Sequence, residues 1–157
     1  MSLSPGEWNM KIADIQLPED YRPTEDEEYM CPNQRAYFRK LLLEWEQQLL
    51  EEAEKTVNIM TEEKAIFADP TDRASLETDR NFELRTRDRE RKLISKIKRT
   101  IEALEENEYG FCEECGVEIG LRRLEARPVT DLCISCKTSA ERQEKVSRVT
   151  EEVNFES

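Results

Sequence analysis

Four cysteines in the last third of this 157-residue sequence are the side chains best suited to chemistry. They form two Cys-x-x-Cys pairs, Cys112 with Cys115 and Cys133 with Cys136, separated by 17 residues. Two residues between cysteines let both sulfurs turn towards one metal ion, and this spacing is typical of four-cysteine zinc sites. Four thiolates leave no coordination position for water. The spacing therefore predicts one structural Zn²⁺ with these four ligands and no catalytic residue.

A redox-active disulfide is the main alternative for a Cys-x-x-Cys pair. Such a centre needs one pair only and lies within a βαβ pattern, which this sequence lacks. Cys31 is left over in an acidic segment with no other cysteine nearby. We interpret Cys31 as an ordinary reduced thiol.

Two acidic residues, Asp69 and Asp72, lie beside Pro70 in the middle of the sequence. Proline ends the preceding helix and is favoured at the first position of a new one. Asp69 is then suited to cap the new helix, and Asp72 to interact with the positive end of its dipole. Capping needs no partner, but a cap also orients its carboxylate. The residues alone leave a structural and a binding role open.

Basic side chains concentrate in residues 85–99, which hold eight basic and two acidic residues, a local charge of +6. Most charged runs are solvated helix faces, but this one is basic in an acidic chain. Arginine and lysine clusters of this kind also bind phosphate groups. The residues that share one helical face, at steps of four and three, are Arg85, Arg89, Lys92, Lys96 and Arg99, and further cations follow at Arg122, Arg123, Arg127 and Lys137.

The overall composition excludes several classes of protein. The chain carries 36 acidic and 24 basic residues, a formal charge of −12, and no histidine. The missing histidine excludes Ser/His and Cys/His catalytic pairs and histidine-containing zinc sites. The negative charge argues against direct DNA recognition and favours a protein partner. No membrane span or signal peptide is predicted, so we expect a cytoplasmic protein.

Two long helices must position these groups. No glycine or proline occurs from residue 33 to about 67, or between Pro70 and about residue 106. Helices of similar length joined by a tight turn fold back on each other to bury their apolar stripes, which predicts an antiparallel coiled-coil hairpin. The stripes consist of Phe38, Leu41, Leu42, Trp45, Leu49, Ala53, Val57 and Met60 on the first helix and Ile94, Ile97, Ile101 and Leu104 on the second.

The predicted fold is therefore mostly α, a long hairpin attached to a small zinc-finger module with a C-terminal helix. Residues 1–32 form an acidic arm of net charge −6 that is disordered unless the body of the protein or a partner binds it. Residues 33–107 form the coiled coil with its tip at 69–73. Residues 108–138 form the four-cysteine zinc finger, and residues 139–157 a C-terminal helix and tail. The helical pattern of that last segment already starts at Lys137.

Several stretches resemble the DksA/TraR zinc-finger family of bacterial transcription factors, in unbroken order from about residue 28 to 138. The resemblance implies a non-enzymatic, monomeric regulator that inserts its hairpin tip into the secondary channel of bacterial RNA polymerase. It would modulate initiation, for example at rRNA and amino-acid promoters, together with the stringent-response alarmone ppGpp and without DNA binding. The stretches that carry the resemblance are residues 69–74, 83–93, 109–120, 123–128 and 133–137.

The same resemblance suggests roles for individual residues. Asp69 and Asp72 match the functional acids of the family's tip, and Ala74 matches its small tip residue. A ppGpp pocket shared with polymerase would use Arg89, Leu93, Lys96, Arg127 and Lys137.

Two other functions stay open. The tip carboxylates could instead donate to a polymerase-bound Mg²⁺ and promote transcript cleavage, as Gre-type factors do. The coiled coil could also serve a zinc-finger adaptor that binds an unrelated protein.

Overall fold

The computed structural model describes residues 11–63 and 70–155, and these residues are mostly helical. In that part of the chain, a 3-10 turn at Ile12–Asp14 precedes four α-helices, and an isolated antiparallel bridge replaces any β-strand. None of the described helices combines the length and apolarity needed to cross a membrane. The helices are α1 (Pro32–Glu63), α2 (Pro70–Glu105), α3 (Leu121–Ala126) and α4 (Ile134–Phe155).

Helices α1 and α2 pack together as a hairpin. Both begin at a proline, whose missing N–H is no loss in the first turn of a helix. Two ion pairs between the helices set their direction: Arg39 with Glu105 at 3.7 Å, and Glu46 with Lys98 at 3.8 Å. Residue numbers rise along α1 while those of the partners fall along α2. The helices are therefore antiparallel.

The hydrophobic core lies at the base of this hairpin and is shared with the segment that follows it. Each fully buried Leu, Ile or Phe side chain stabilises the fold by about 1.5–3 kcal/mol. Because the same core includes residues from α1, α2 and the cysteine-containing segment, the hairpin base and that segment form one body. Its fully buried apolar side chains are Phe38, Leu42, Ile97, Leu104, Ile119 and Leu124.

Apolar side chains of residues 11–31 pack against this base. Met30 and Cys31 are buried beside the start of α1, and Ile12 is buried against its side. Gln34 is also fully buried. Its side-chain oxygen accepts a hydrogen bond from the Met30 N–H at 2.9 Å, and its amide donates to the Thr24 carbonyl at 3.0 Å. These two hydrogen bonds fix the position of the residues that precede α1.

Helix α4 leaves the base and is exposed beyond its first turn. The helix begins three residues before the predicted start at Lys137, and every residue from 138 to 149 is exposed. Residues 138–149 are therefore buried neither by the hairpin base nor by the acidic arm. Sequence analysis missed α3, because six residues are too few to show a helical period.

Candidate functional site

The four predicted ligands converge on one point beside the hairpin base. Their Sγ atoms all lie within 4.8 Å of one another, and those of Cys115 and Cys133 are 3.8 Å apart. A tetrahedral site with Zn–S bonds of about 2.3 Å separates its sulfurs by about 3.8 Å. Four soft thiolate donors at this spacing suit zinc. The residues therefore fit a closed, structural zinc site.

Local backbone structure aims the two cysteine pairs at each other. The first pair lies in a tight loop, in which the Gly116 N–H donates to the Cys112 carbonyl at 2.8 Å. Gly116 has a positive φ of 72°, a conformation that most side chains disfavour. The second pair straddles the start of α4. There the Cys136 N–H points at the Cys133 sulfur at 3.5 Å, as free N–H groups do at a helix N-terminus.

The thiols differ in how readily they ionise. The backbone N–H of Cys133 stabilises the Cys112 thiolate and lowers the pKa of that thiol to about 6. Hydrogen bonds with the sulfurs of Cys133 and Cys115 raise the pKa of the Cys136 thiol to about 12. Four negative charges this close together repel one another. A divalent cation at their centre is what allows all four to ionise together.

Hydrogen bonds tie the cysteine loops to the hairpin base. The buried Tyr109 hydroxyl donates to the Pro128 carbonyl at 2.7 Å. The Tyr29 hydroxyl, from the acidic arm, lies 2.6 Å from the Gly110 carbonyl oxygen and 2.5 Å from that of Ile119. Gly110 has a φ of 94°, and a Cβ there would lie 2.8 Å from the Tyr29 oxygen. The arm therefore holds the loop that carries Cys112.

Beside this centre, two of the five residues predicted for the ppGpp pocket, Lys96 and Lys137, interact with the carboxylate of Asp131. Lys96, on α2, donates to the Asp131 carboxylate at 2.9 Å. Lys137, in the first turns of α4, pairs with Glu141 at 3.7 Å. Burial raises the pKa of Asp131, but the Lys96 hydrogen bond and charge, and the Lys137 charge, outweigh it and lower that pKa overall. Asp131 therefore lies within the electrostatic reach of both lysines.

The other three residues predicted for the ppGpp pocket are less closely connected to Lys96. Arg89 is exposed on α2, two turns before Lys96. Arg127 is exposed at the end of α3, where its N–H donates to the Arg123 carbonyl at 2.8 Å. Leu93 is half-buried and packs against the core. In the described structure, no hydrogen bond or ion pair joins Arg89 or Arg127 to Lys96.

Sequence reasoning missed Asp131, although a signal was present. It is the single acidic residue between Arg127 and Lys137, two of the predicted phosphate-binding cations. An acid in that position is unexpected in a site for anions. The contact between this carboxylate and Lys96 depends on the fold and is not indicated by the sequence pattern.

The predicted tip acids fall largely outside this description. Asp69 lies outside the described residues, as does the side chain of Asp72, whose backbone belongs to the first turn of α2. Ala74 is exposed one half-turn further along. The tip roles of all three residues stay predictions.

Fold and site together define a helical-hairpin protein with a four-cysteine zinc finger at its base. Residues 34–104 match the family model of the DnaK suppressor protein DksA, N-terminal domain, and residues 107–142 match that of the prokaryotic dksA/traR C4-type zinc finger. The chain belongs to the DksA family. The predictions of family, of a mostly α fold and of one structural zinc are confirmed.

Characterised relatives align over most of the chain. The RNA polymerase-binding transcription factor DksA of Escherichia coli (strain K12) is 52% identical over 137 residues, which cover 87% of this chain and 91% of the relative. The protein of the same name from Haemophilus influenzae is 49% identical over 137 residues, which cover 87% of this chain and 94% of that relative. The structure of transcription factor DksA2 from Pseudomonas aeruginosa superposes with a TM-score of 0.67 at 41% identity, covering 76% of this chain and 90% of that one. These relatives are named as transcription factors.

Proposed function

We propose that this chain binds bacterial RNA polymerase and regulates transcription initiation as a monomeric, cytoplasmic, non-enzymatic factor. The observation that carries the proposal is the 52% identity, over 137 residues, to a relative named as an RNA polymerase-binding transcription factor. That match spans both the hairpin and the zinc finger. The net charge of −12 supports action through a protein partner rather than through DNA.

The shape of the hairpin suits insertion into the polymerase secondary channel. Helix α2 has 36 residues, which is about 54 Å at 1.5 Å per residue. The module with the cysteines and the described residues 11–31 both lie at the base, so the described outer part of the hairpin is a thin rod of two helices. In this proposal the rod carries Asp69, Asp72 and Ala74 towards the polymerase active site, and the wider base stops further entry.

The zinc module would hold the base of the rod in shape. We propose Cys112, Cys115, Cys133 and Cys136 as the ligands, within a finger spanning residues 108–138. The acidic arm (1–32), the coiled coil (33–107) and the C-terminal helix and tail (139–157) complete the proposed organisation. Because Cys112 belongs to the shared core, metal binding would also stabilise the hairpin base.

We further propose that ppGpp binds where the hairpin meets the zinc module, against polymerase. Lys96 lies on α2 and Lys137 on α4. In this proposal both contact the nucleotide, and Arg127 and Arg89 would supply bidentate contacts to phosphate. Leu93 would contribute apolar contact. This chain would provide half of the pocket, so binding is expected only in the complex with polymerase.

Transcription with purified polymerase tests the tip. We expect Asp72→Asn to bind polymerase like the wild type but to lose its effect on a responsive promoter. Asp79→Asn is a matched control, because Asp79 is an exposed acid two turns further along α2. It should retain both binding and effect. Failure of the wild-type chain to bind polymerase would refute the proposal and favour an adaptor for another protein.

The same proteins test the transcript-cleavage alternative. Stalled elongation complexes are incubated with the wild-type chain and with Asp72→Asn, and RNA length is measured on gels. We expect no shortening with either protein. Shortened transcripts with the wild type alone would show that the tip donates to a catalytic metal.

A further inference from the structure

Lys96, one of the residues of the proposed ppGpp site, is paired with Asp131 in the free chain. The Asp131 carboxylate accepts a hydrogen bond from the Lys96 ammonium at 2.9 Å. Asp131 lies in the loop that precedes α4, and the first turns of that helix carry Lys137. A carboxylate and a phosphate oxygen offer a lysine the same kind of charged acceptor. The free chain therefore already holds an anion among its candidate phosphate contacts.

The backbone keeps this carboxylate in place. The Asp131 carbonyl accepts a hydrogen bond from the Glu113 N–H at 2.9 Å, which links the loop before α4 to the loop of the first cysteine pair. The acid is thus part of the module and remains near Lys96 when a ligand arrives. It would repel a polyphosphate and compete with it for the same ammonium group.

The ion pair is nevertheless weak enough to exchange. The side chains of Lys96 and Asp131 are 38% and 41% exposed, and ion pairs with that access to water contribute little. The module is also attached to the hairpin by other contacts, including the Tyr109–Pro128 hydrogen bond and the shared core. Displacing the carboxylate from Lys96 leaves those attachments intact.

We propose that Asp131 is an internal placeholder for a phosphate group, which lowers the affinity of the site for ppGpp and so sets the concentration that the protein senses. The inference rests on the proposed ppGpp site and adds its regulation. In the free chain Asp131 holds Lys96 in a defined position. In the complex with polymerase, a phosphate of the nucleotide replaces the carboxylate at the lysine.

Titration with ppGpp tests the proposal. Purified polymerase is saturated with each chain, and the nucleotide concentration for half-maximal effect on a responsive promoter is measured. We expect Asp131→Asn to lower that concentration about two- to fivefold, the change that corresponds to an exposed ion pair. Asp131→Glu keeps the charge and should restore the wild-type value. A loss of structure alone would change the concentration in the opposite direction.

Two further variants separate the possible failures. Glu44→Gln makes the same charge change in an exposed pair with Lys40 on α1 and should match the wild type. Lys96→Ala should abolish most of the ppGpp response. If the wild type responds, Lys96→Ala does not, and Asp131→Asn leaves the concentration unchanged or raises it, the placeholder role is refuted. If the wild type itself shows no ppGpp response, the proposed site is refuted and the placeholder with it.

Discussion

The two halves of the hairpin are built from different side chains along the same seam. At the base, Phe38, Leu42, Ile97 and Leu104 are fully buried between the helices. Further out, the half-buried positions described on α2 are polar at Glu83, Arg87 and Glu90 and apolar only at Leu76, while the apolar Phe82 and Leu84 are exposed. The base therefore has the composition of a protein core and the outer half that of a helix surface. Stability is concentrated where the zinc site and the core meet.

This difference has a consequence for the proposed function. Burial of apolar side chains is the main favourable term in folding, and the outer half has little of it. Phe82, for example, is 73% exposed, and Leu84 and Leu50 are exposed as well. The outer half depends more on helix propensity and on its attachment to the base. A rod built in this way can adjust to a channel while its base stays fixed.

The largest predicted effect is loss of the metal at the base. Cys115→Ser removes one of four thiolates, and structural zinc sites contribute about 10–16 kcal/mol of apparent binding free energy in small domains. We expect the variant to lose most of its zinc, measured by atomic emission, and to loosen the globular end. Most of the far-ultraviolet helical signal should remain, because α1 and α2 contain no ligand. Wild-type zinc content in this variant would contradict the four-thiolate site.

Truncation of one leucine in each half of the hairpin measures the difference in packing between the base and the outer half. Leu104→Ala opens a cavity in the core and should lower the free energy of unfolding by about 2–5 kcal/mol. Leu84→Ala removes an exposed side chain from the outer half of the same helix, and we expect a loss below about 0.5 kcal/mol. Urea denaturation of both variants provides the comparison. Equal losses would show that the two halves are equally well packed.

Substitution of Arg87 is expected to raise the free energy of unfolding, whereas the preceding substitutions lower it. The Nε atom and one terminal nitrogen of Arg87 are buried without a hydrogen-bond partner, although Glu83 lies one turn away on the same helix. An unsatisfied buried donor costs about 1–3 kcal/mol, and leucine has nearly the same helix propensity as arginine. Arg87→Leu should therefore stabilise the protein by about 1–2 kcal/mol in urea denaturation.

The control for Arg87 is an exposed arginine one turn further along α2. Arg91→Leu makes the same change of side chain at a solvated position, and we expect an effect within about 0.5 kcal/mol. A destabilising Arg87→Leu would mean that the guanidinium has an important partner in solution. The outer half would then be more specifically packed than its composition indicates.

Local patterns predicted most of the fold and the metal centre. Unbroken helical runs on either side of Pro70 indicated the hairpin, and the seam from Ile94 to Leu104 indicated its base. The cysteine spacing indicated the zinc ligands, because two pairs in short loops constrain each other with little help from the rest of the chain. The seam pattern was less accurate further out, where Val57 is 48% exposed despite its position in the predicted stripe.

Contacts between distant parts of the chain were not predictable in this way. The Tyr29 hydroxyl reaches carbonyls 81 and 90 residues further along the chain, and no local pattern reports such a contact. The pairing of Lys96 with Asp131 likewise requires α2 and the loop before α4 to be placed first. The candidate phosphate site is assembled from several elements, so the sequence indicated its cations and missed its carboxylate.

The smallest predicted effect concerns the ion pairs along α1. Glu46 pairs with Lys98 across the hairpin and is mostly buried, whereas Glu44 pairs with Lys40 within α1 and is exposed. Glu46→Gln should lower the free energy of unfolding by up to about 1 kcal/mol, and Glu44→Gln by about 0.3–0.5 kcal/mol at most, since solvent screens the exposed pair. Both losses should shrink in 1 M salt, where charges are screened beyond about 3 Å. If Glu44→Gln proves the more harmful, the pairs across the hairpin add nothing to its base, and the apolar core alone distinguishes the base from the outer half.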